Sequence, residues 1–279
     1  METIRLDGRL LAQNIYQKLR SEISTLSHVP TLAVVVLGEN AASTIYINMK
    51  TRVASSIGIE ANIYHLSDKI STAQLMETIH TLNQDRSVDG ILIQLPLPEH
   101  IDTDAVIETI DPKKDADGLT TKNLGGLMTG HPTIMPCTPL GCLALIHQAR
   151  PILTGLNAVV VGRSRLVGRP MAQLLLNENC TVAQAHTYTQ NLMELCASAD
   201  VLVSATGVPG LIKRDFIKPG AVVIDVGISR TKDSRITGDV DSESALGRAG
   251  WLTPVPGGVG PMTVAMLMSN MVNIVKHQS

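Results

Sequence analysis

Short aliphatic runs alternate with longer amphipathic stretches along this chain. Between Thr31 and Leu97 the runs are LAVVVLG at 32–38, IEANIYHL at 59–66 and GILIQLP at 90–96. This βαβαβ rhythm predicts parallel strands joined by crossover helices. The spacing predicts helices over Ser43–Ile57 and Thr72–Asn83. In the first, Ile45, Met49, Val53 and Ile57 form an apolar stripe, and Ser43 offers an N-cap hydroxyl. A second series, NAVVVG at 157–162, CTVAQAH at 180–186, ADVLVSATG at 199–207 and AVVIDVG at 221–227, predicts a second parallel sheet. Between the two, Asp111–Pro139 is rich in Asp, Lys, Gly, Pro and Thr and reads as a long loop.

The pattern therefore predicts an α/β protein of two domains, an N-terminal α/β/α domain at 1–139 and a Rossmann-type doubly wound parallel sheet at 140–262. The last segment, 263–279, carries Val264, Leu267, Met268, Met271 and Val275 at helical spacing and is expected to pack back on the first domain.

A length of 279 residues suits two domains, and 44% hydrophobic with 17% charged residues is a globular composition. Lys and Arg number 23 against 25 Asp and Glu, too even a balance for the broad basic field of a nucleic-acid binder. With one Phe, one Trp and four Tyr, the core must be aliphatic. Cys137, Cys142, Cys180 and Cys196 form no C-x-x-C pair and are expected to be reduced, buried apolar residues. Glu2, Arg5, Asp7 and Arg9 stand where a signal peptide would be apolar, and stretches such as Leu32–Leu37 fall far short of a membrane span, so a soluble, cytoplasmic protein is expected.

The run VVVGRSRLVGRP, Val159–Pro170, predicts a strand, a glycine turn and a helix start with Pro170 near its first position. Gly162 would make the tight turn, and Gly168 would let a phosphate approach the helix N-terminus. The later strand ends Ser204–Gly207 and Asp225–Ile228 lie where open parallel sheets bind ligands. Arg163 and Ser164 could reach an adenosine 2′-phosphate, and His186-Thr187-Tyr188-Thr189 after the second strand contains no acid, which favours NADP over NAD.

In the first domain, Tyr46 and Lys50 are one helical turn apart at the margin of the stripe. A partly desolvated Lys50 could serve as an acid or base, and Gln94, at the end of the third strand, could hydrogen-bond it. Asp117 lies in a loop of several acids. Thr253–Thr263 holds three prolines and three glycines, backbone suited to close approach to a ligand. No H-E-x-x-H, paired Cys/His spacing or G-x-S-x-G occurs, so neither a metal site nor a serine hydrolase is indicated.

In this order, S-x-x-Y-x-x-x-K at 43–50, DGILIQLPLP at 89–98, KDADGL at 114–119, PCTP at 136–139, GRSRLVGRP at 162–170 and TPVPGGVGPMT at 253–263 resemble the bifunctional methylenetetrahydrofolate dehydrogenase/methenyltetrahydrofolate cyclohydrolase family across almost the whole chain. The resemblance implies Lys50 as catalytic lysine, Tyr46 orienting the folate rings, Gln94 bonded to the lysine with Leu95 beside the substrate, and Asp117 anchoring the pterin's amino edge. It implies cofactor contacts at Arg163, Ser164 and Thr187, with Thr206 and Gly207 near the cofactor, Ile228 near its nicotinamide end, and Pro256, Gly257 and Gly260 bordering a cleft shared by folate and NADP. Tyr188 departs from the family's common His-Ser-basic-Thr pattern and removes a positive charge near the expected 2′-phosphate. A cytoplasmic homodimer acting in one-carbon metabolism is implied as well. A short-chain dehydrogenase also pairs Tyr-x-x-x-Lys, but its nucleotide turn precedes the pair, whereas Gly162 follows Lys50 by more than a hundred residues. A cofactor-binding sensor without chemistry is disfavoured by the intact Tyr46, Lys50, Gln94 and Asp117.

Overall fold

Strands too short and apolar to stand alone must pair, and in the two larger sheets they pair in parallel, with Ser229–Arg230 and Ile236–Thr237 forming a small antiparallel pair. The computed structural model describes residues 2–38, 41–230 and 235–278, with the side chains of 41–46 and 278 outside the description. In chain order the first half comprises β1 (Ile4–Arg5), α1 (Gly8–Ile23), β2 (Thr31–Leu37), α2 (Ala41–Ile57), β3 (Glu60–Leu66), α3 (Thr72–Gln84), β4 (Gly90–Ile93), α4 (Thr103–Thr109) and α5 (Thr121–Met128). The second comprises α6 (Cys137–Ala149), β5 (Asn157–Val161), α7 (Gly168–Asn177), β6 (Thr181–Ala185), α8 (Leu192–Ala197), β7 (Val201–Ser204) and β8 (Val222–Asp225). It continues with β9 (Ser229–Arg230), β10 (Ile236–Thr237), α9 (Ser242–Ala245), β11 (Trp251–Leu252) and α10 (Val259–Gln278).

The chain divides into two compact units. One joins Met1–Gln13 to Pro136–Met266, and the other joins Asn14–Met135 to Leu267–Ser279. The second holds a parallel sheet in the order β3-β2-β4, in which Val34 pairs with Ile63 on one side and Leu92 on the other. Leu75, Ile79 and Leu82 of α3 bury against Ala33, Val35, Ile91 and Ile93. A capping box starts α3: the Ser71 hydroxyl accepts from Gln74 N–H, and the Gln74 amide oxygen accepts from Ser71 N–H. Asn270 of α10 donates to the carbonyls of Ala116 and Met135, and Gly90 leaves room for the Met271 sulfur.

The other unit holds a sheet in the order β1-β11-β8-β7-β5-β6. The chain leaves β5 for β6 on one side and then passes to β7 on the other, which puts a topological switch point at the carboxyl ends of β5 and β7. Val159, Val161, Leu202 and Val223 form its core with Ala185, Cys196 and Ile217. All four cysteines are buried, and none is in a disulfide. Burial pushes the Cys142 thiol far up and that of Cys196 up to about 12.

Several elements differ from the pattern reading. Residues 1–13 belong with the six-stranded unit, because Ile4 pairs with Trp251 and Arg5 with Leu252. The stretch expected as a loop carries α5, a short helix made recognisable only by packing, with Leu127 and Asn123 buried and two glycines diluting its periodicity. Helix α2 begins at Ala41, so Ser43 lies inside its first turn rather than at the cap. Its inward face runs through Ile47, Ala54 and Ile57, while Met49 and Val53 of the expected stripe are only half-buried. The small Ala54 faces inward where Val53 was expected. Helix α7 begins at Gly168, which makes Pro170 its third residue; the missing N–H costs nothing there, since first-turn N–H groups lack helical partners.

Candidate functional site

Lys50 sits three residues after Ile47 and four before Ala54, and is therefore central to the buried face of α2 rather than at its margin. It is half-buried, and its Nζ donates to Gln94 Oε1 at 3.1 Å. Gln94 N–H continues the sheet ladder to Val35 O (2.9 Å), so the backbone of the third strand delivers this amide. The amide nitrogen donates to Leu95 O at 2.8 Å, which fixes the orientation and turns the oxygen to Lys50. Tyr46 lies one turn earlier on α2, and its side chain is outside the described residues.

The acidic loop separates into scaffold and site. Ile91 N–H donates to Lys114 O (2.7 Å) and Ala116 N–H to Ile91 O (3.2 Å), so the loop adds a short bridge to the edge of β4. Lys114 Nζ donates to Leu82 O (3.2 Å) and Asp85 O (2.7 Å) at the end of α3, and burial lowers its pKa. Asp115 is 1% exposed and accepts from Gly118 N–H, Thr120 N–H and the Asn123 amide. These bonds hold Asp117 in place; it is half-buried and lines a small hollow with Ile93, Leu95, Ile107 and Leu119. The first residue of DGILIQLPLP is also scaffold: Asp89 accepts from Thr31 N–H (2.8 Å) and His28 Nε2 (2.9 Å).

At the end of β5, Gly162 has φ +125°, and a Cβ there would run into Ala205 O. Gly168, first in α7, packs against the carbonyl of Gly162. Gly168 thus allows close contact between helix and turn, and it seats the helix N-terminus directly behind the strand end. The Ser164 hydroxyl accepts from Val167 N–H (3.2 Å) and Gly168 N–H (3.3 Å), leaving its own proton to donate. Arg163 is exposed, and its guanidinium carbon lies 5.9 Å from the centre of the Tyr188 ring. The turn bearing that ring is fixed by His186 N–H to Thr189 Oγ1 (2.8 Å) and Tyr188 N–H to His186 Nδ1 (3.2 Å), with Thr187 exposed between them. No acid stands at this strand end. An exposed cation, a free hydroxyl proton and an N-terminal helix turn at the switch point fit a dinucleotide carrying a 2′-phosphate.

Thr206 and Gly207 follow β7, with Gly207 at φ +71°, and Ile228 follows β8 with 52% of its surface exposed. Beneath them lie two acids. Asp225 accepts from Gly227 N–H (3.0 Å), Asp239 N–H (2.8 Å) and Val240 N–H (2.9 Å). Asp239 Oδ2 accepts from the Ser204 hydroxyl (3.0 Å) and Thr206 N–H (2.6 Å). Burial first, then the neighbouring charge of Asp239, pushes Asp225 up to about 6 against those donors. In the Pro/Gly-rich loop, Gly257 O accepts from Gly8 N–H (3.0 Å) and Gly258 N–H bonds Pro254 O (2.8 Å). Pro256 is exposed, Gly257 buried and Gly260 half-buried with open space on its Cβ side.

Pattern reading brought out Lys50, Gln94, Asp117 and the β5 turn, and missed Asp239. Asp239 is one of three acids in GDVDSES and carries no local signal, since its partners Ser204 and Thr206 come from a strand end some thirty residues earlier. Arg9 stood out only as an N-terminal charge, although its Nε would lie 3.3 Å from a Cβ at Gly257.

Two family models match the chain in order: the catalytic domain of tetrahydrofolate dehydrogenase/cyclohydrolase over residues 6–117, and its NAD(P)-binding domain over 136–279. The bifunctional protein FolD of Acetivibrio thermocellus is 49% identical over 282 aligned positions, covering 100% of this chain and 99% of that protein. Among solved structures, the bifunctional FolD of Campylobacter jejuni superposes with a TM-score of 0.96 at 41% identity, covering 99% of this chain and 100% of the other. The Trypanosoma brucei enzyme, solved with NADP cofactor and an inhibitor, gives 0.94 at 35% identity, with 100% and 99% covered.

Proposed function

The chain belongs to the tetrahydrofolate dehydrogenase/cyclohydrolase family, and from that premise we propose how its own side chains divide the work. It is a bifunctional enzyme that oxidises 5,10-methylenetetrahydrofolate with NADP and hydrolyses the resulting 5,10-methenyltetrahydrofolate to 10-formyltetrahydrofolate.

In the oxidation, NADP accepts the hydride that leaves the bridging methylene, while a folate nitrogen lone pair stabilises the methenyl cation. The protein contributes proximity and orientation. On our reading, the α7 N-terminus behind Gly162 and Gly168 holds the pyrophosphate; Arg163, Ser164 and Thr187 hold the adenosine 2′-phosphate. Thr206, Gly207 and Ile228 contact the cofactor further along the sheet edge. Pro256, Gly257 and Gly260 border the substrate.

In the hydrolysis, water adds to the cation and loses a proton, and the ring nitrogen gains one as its bond to the former methylene carbon breaks. We assign both transfers to Lys50: the amine takes the proton from water, and the ammonium returns it to the departing nitrogen, while the proton left on the added hydroxyl goes to solvent as the formyl C=O forms. Gln94 holds Nζ in position through an oxygen that cannot flip away, because its amide nitrogen is tied to Leu95 O. Asp117 accepts the N–H groups of the pterin's amino edge, Leu95 lies beside the substrate, and Tyr46 orients the ring system.

The observation that carries this reading is the 3.1 Å bond from Lys50 to Gln94. Assay of purified protein on the two folates tests it: NADP-dependent formation of the methenyl compound and its hydrolysis are both expected, and absence of the second would remove Lys50 from its role. We propose further that the enzyme is a cytoplasmic homodimer that supplies one-carbon units to purine, methionine and histidine biosynthesis. Family membership supports this, and no described helix is long and apolar enough to cross a membrane. Light scattering at twice 29.8 kDa is the expected outcome for the dimer.

A further inference from the structure

We propose that Asp239, which cannot touch the cofactor, is a positioning residue of the dehydrogenase reaction, holding the β7 and β8 loops in one shape through Thr206 and Asp225. The proposal rests on the assignment of those loops to NADP. Asp239 is 0% exposed and Asp225 3%. Burying two neighbouring carboxylates is expensive. Their placement matches a different need. Each loop leaving a strand end has backbone N–H groups that require acceptors. Asp239 supplies one to Thr206, immediately before Gly207, and Asp225 supplies one to Gly227, immediately before Ile228. The Asp239 N–H bond to Asp225 Oδ1 joins the two into a continuous path from the β7 loop to the β8 loop.

The surroundings are shaped for these acids. A Cβ at Gly227 would collide with the Asp239 carboxylate, and one at Gly238 with that of Asp225. Thr253 Oγ1 accepts the Asp225 N–H at 2.8 Å, fixing the strand end itself. Asp239 Oδ1 is buried with no hydrogen-bond partner among the described residues. An oxygen kept at that cost shows that the side chain is tied down by its other oxygen, the one facing Ser204 and Thr206.

The enzyme contains its own control, because hydrolysis of the methenyl substrate consumes no cofactor. Asp239→Leu removes both acceptors, and Asp239→Asn keeps one oxygen. In the Leu variant the KM for NADP should rise about tenfold and dehydrogenase kcat should fall, as expected for loss of hydrogen bonds to a charged group. Hydrolysis by the same preparation should stay within about twofold of wild type, and Asn should recover most of the NADP affinity. Ser204→Ala, a milder change that removes one donor, should raise the NADP KM by roughly two- to fivefold with hydrolysis intact. A folded Leu or Ala variant with unchanged NADP kinetics overturns the proposal, as does a parallel loss of both activities in Ser204→Ala. Failure of the wild-type protein to use NADP would instead strike the loop assignment.

Discussion

The guanidinium of Arg163 and the ring of Tyr188 face each other at 5.9 Å across the carboxyl ends of β5 and β6. A cation over an aromatic face is favoured, more weakly when exposed, and Tyr188 is 79% exposed. The contact holds ready a charge that a 2′-phosphate would need. Arg163→Ala should therefore raise the KM for NADP by about tenfold or more and leave that for NAD within about twofold. Tyr188→Leu should produce roughly a two- to fivefold loss of NADP preference. Tyr188→Lys should tighten NADP and steepen its dependence on salt. Steady-state kinetics with both cofactors check all three; equal losses with NAD and NADP in Arg163→Ala would refute the 2′-phosphate role.

Lys50→Met should abolish hydrolysis, lowering kcat by about a hundredfold or more, while NADP binding measured by fluorescence titration stays unchanged. Gln94→Ala leaves the amine in place without its anchor, so a smaller loss of about tenfold and a displaced pH profile are expected. Hydrolysis within twofold of wild type in the Met variant is the result that sinks the assignment.

The turn after β5 tolerates no side chain at its glycines. Gly168→Ala would push α7 away from the Gly162 carbonyl, costing about 1–3 kcal/mol in a urea titration and raising the NADP KM about tenfold, with hydrolysis retained. Normal stability and normal NADP kinetics would show that the helix N-terminus need not sit so close.

Asp225, pushed up to about 6, carries a signed pH effect. The folded protein binds this proton more tightly than the unfolded chain, whose Asp titrates near 4, so the contribution to stability falls as pH rises from about 4 to about 6 and is flat above. A shift of this size corresponds to on the order of 3 kcal/mol. Asp225→Asn costs stability through a mismatched donor at Val240, yet the difference between wild type and variant should shrink by that amount over this interval and then hold constant. Unfolding free energies at pH 4 and 7 measure it; a pH-independent difference contradicts the raised value.

The long central strands were legible because residues such as Val34, Val160 and Val203 are buried on both faces and leave unbroken apolar runs. Two-residue strands such as β1, whose Ile4 is 54% exposed, leave no pattern at all; only their partner fixes them. Lys50 was visible as a residue but misjudged in direction, since the small Ala54 anchors the inward face in place of Val53. Asp117 stood out only as one acid among several, and the separation of Lys114 and Asp115 into scaffold depended on carbonyls and N–H groups that a sequence does not display. Asp239 was illegible for the same reason: its meaning resides in strand ends that converge from distant parts of the chain.

The four sequestered cysteines have a practical sequel. Thiolates are the species that alkylating dyes attack, and these sulfurs are shielded from solvent, with those of Cys142 and Cys196 held firmly as thiols by burial. A cysteine introduced at exposed Gln190, beside the β6 turn, would then be labelled ahead of the native ones without first deleting any of them. A fluorophore placed there would report on nucleotide arrival in an otherwise unaltered background.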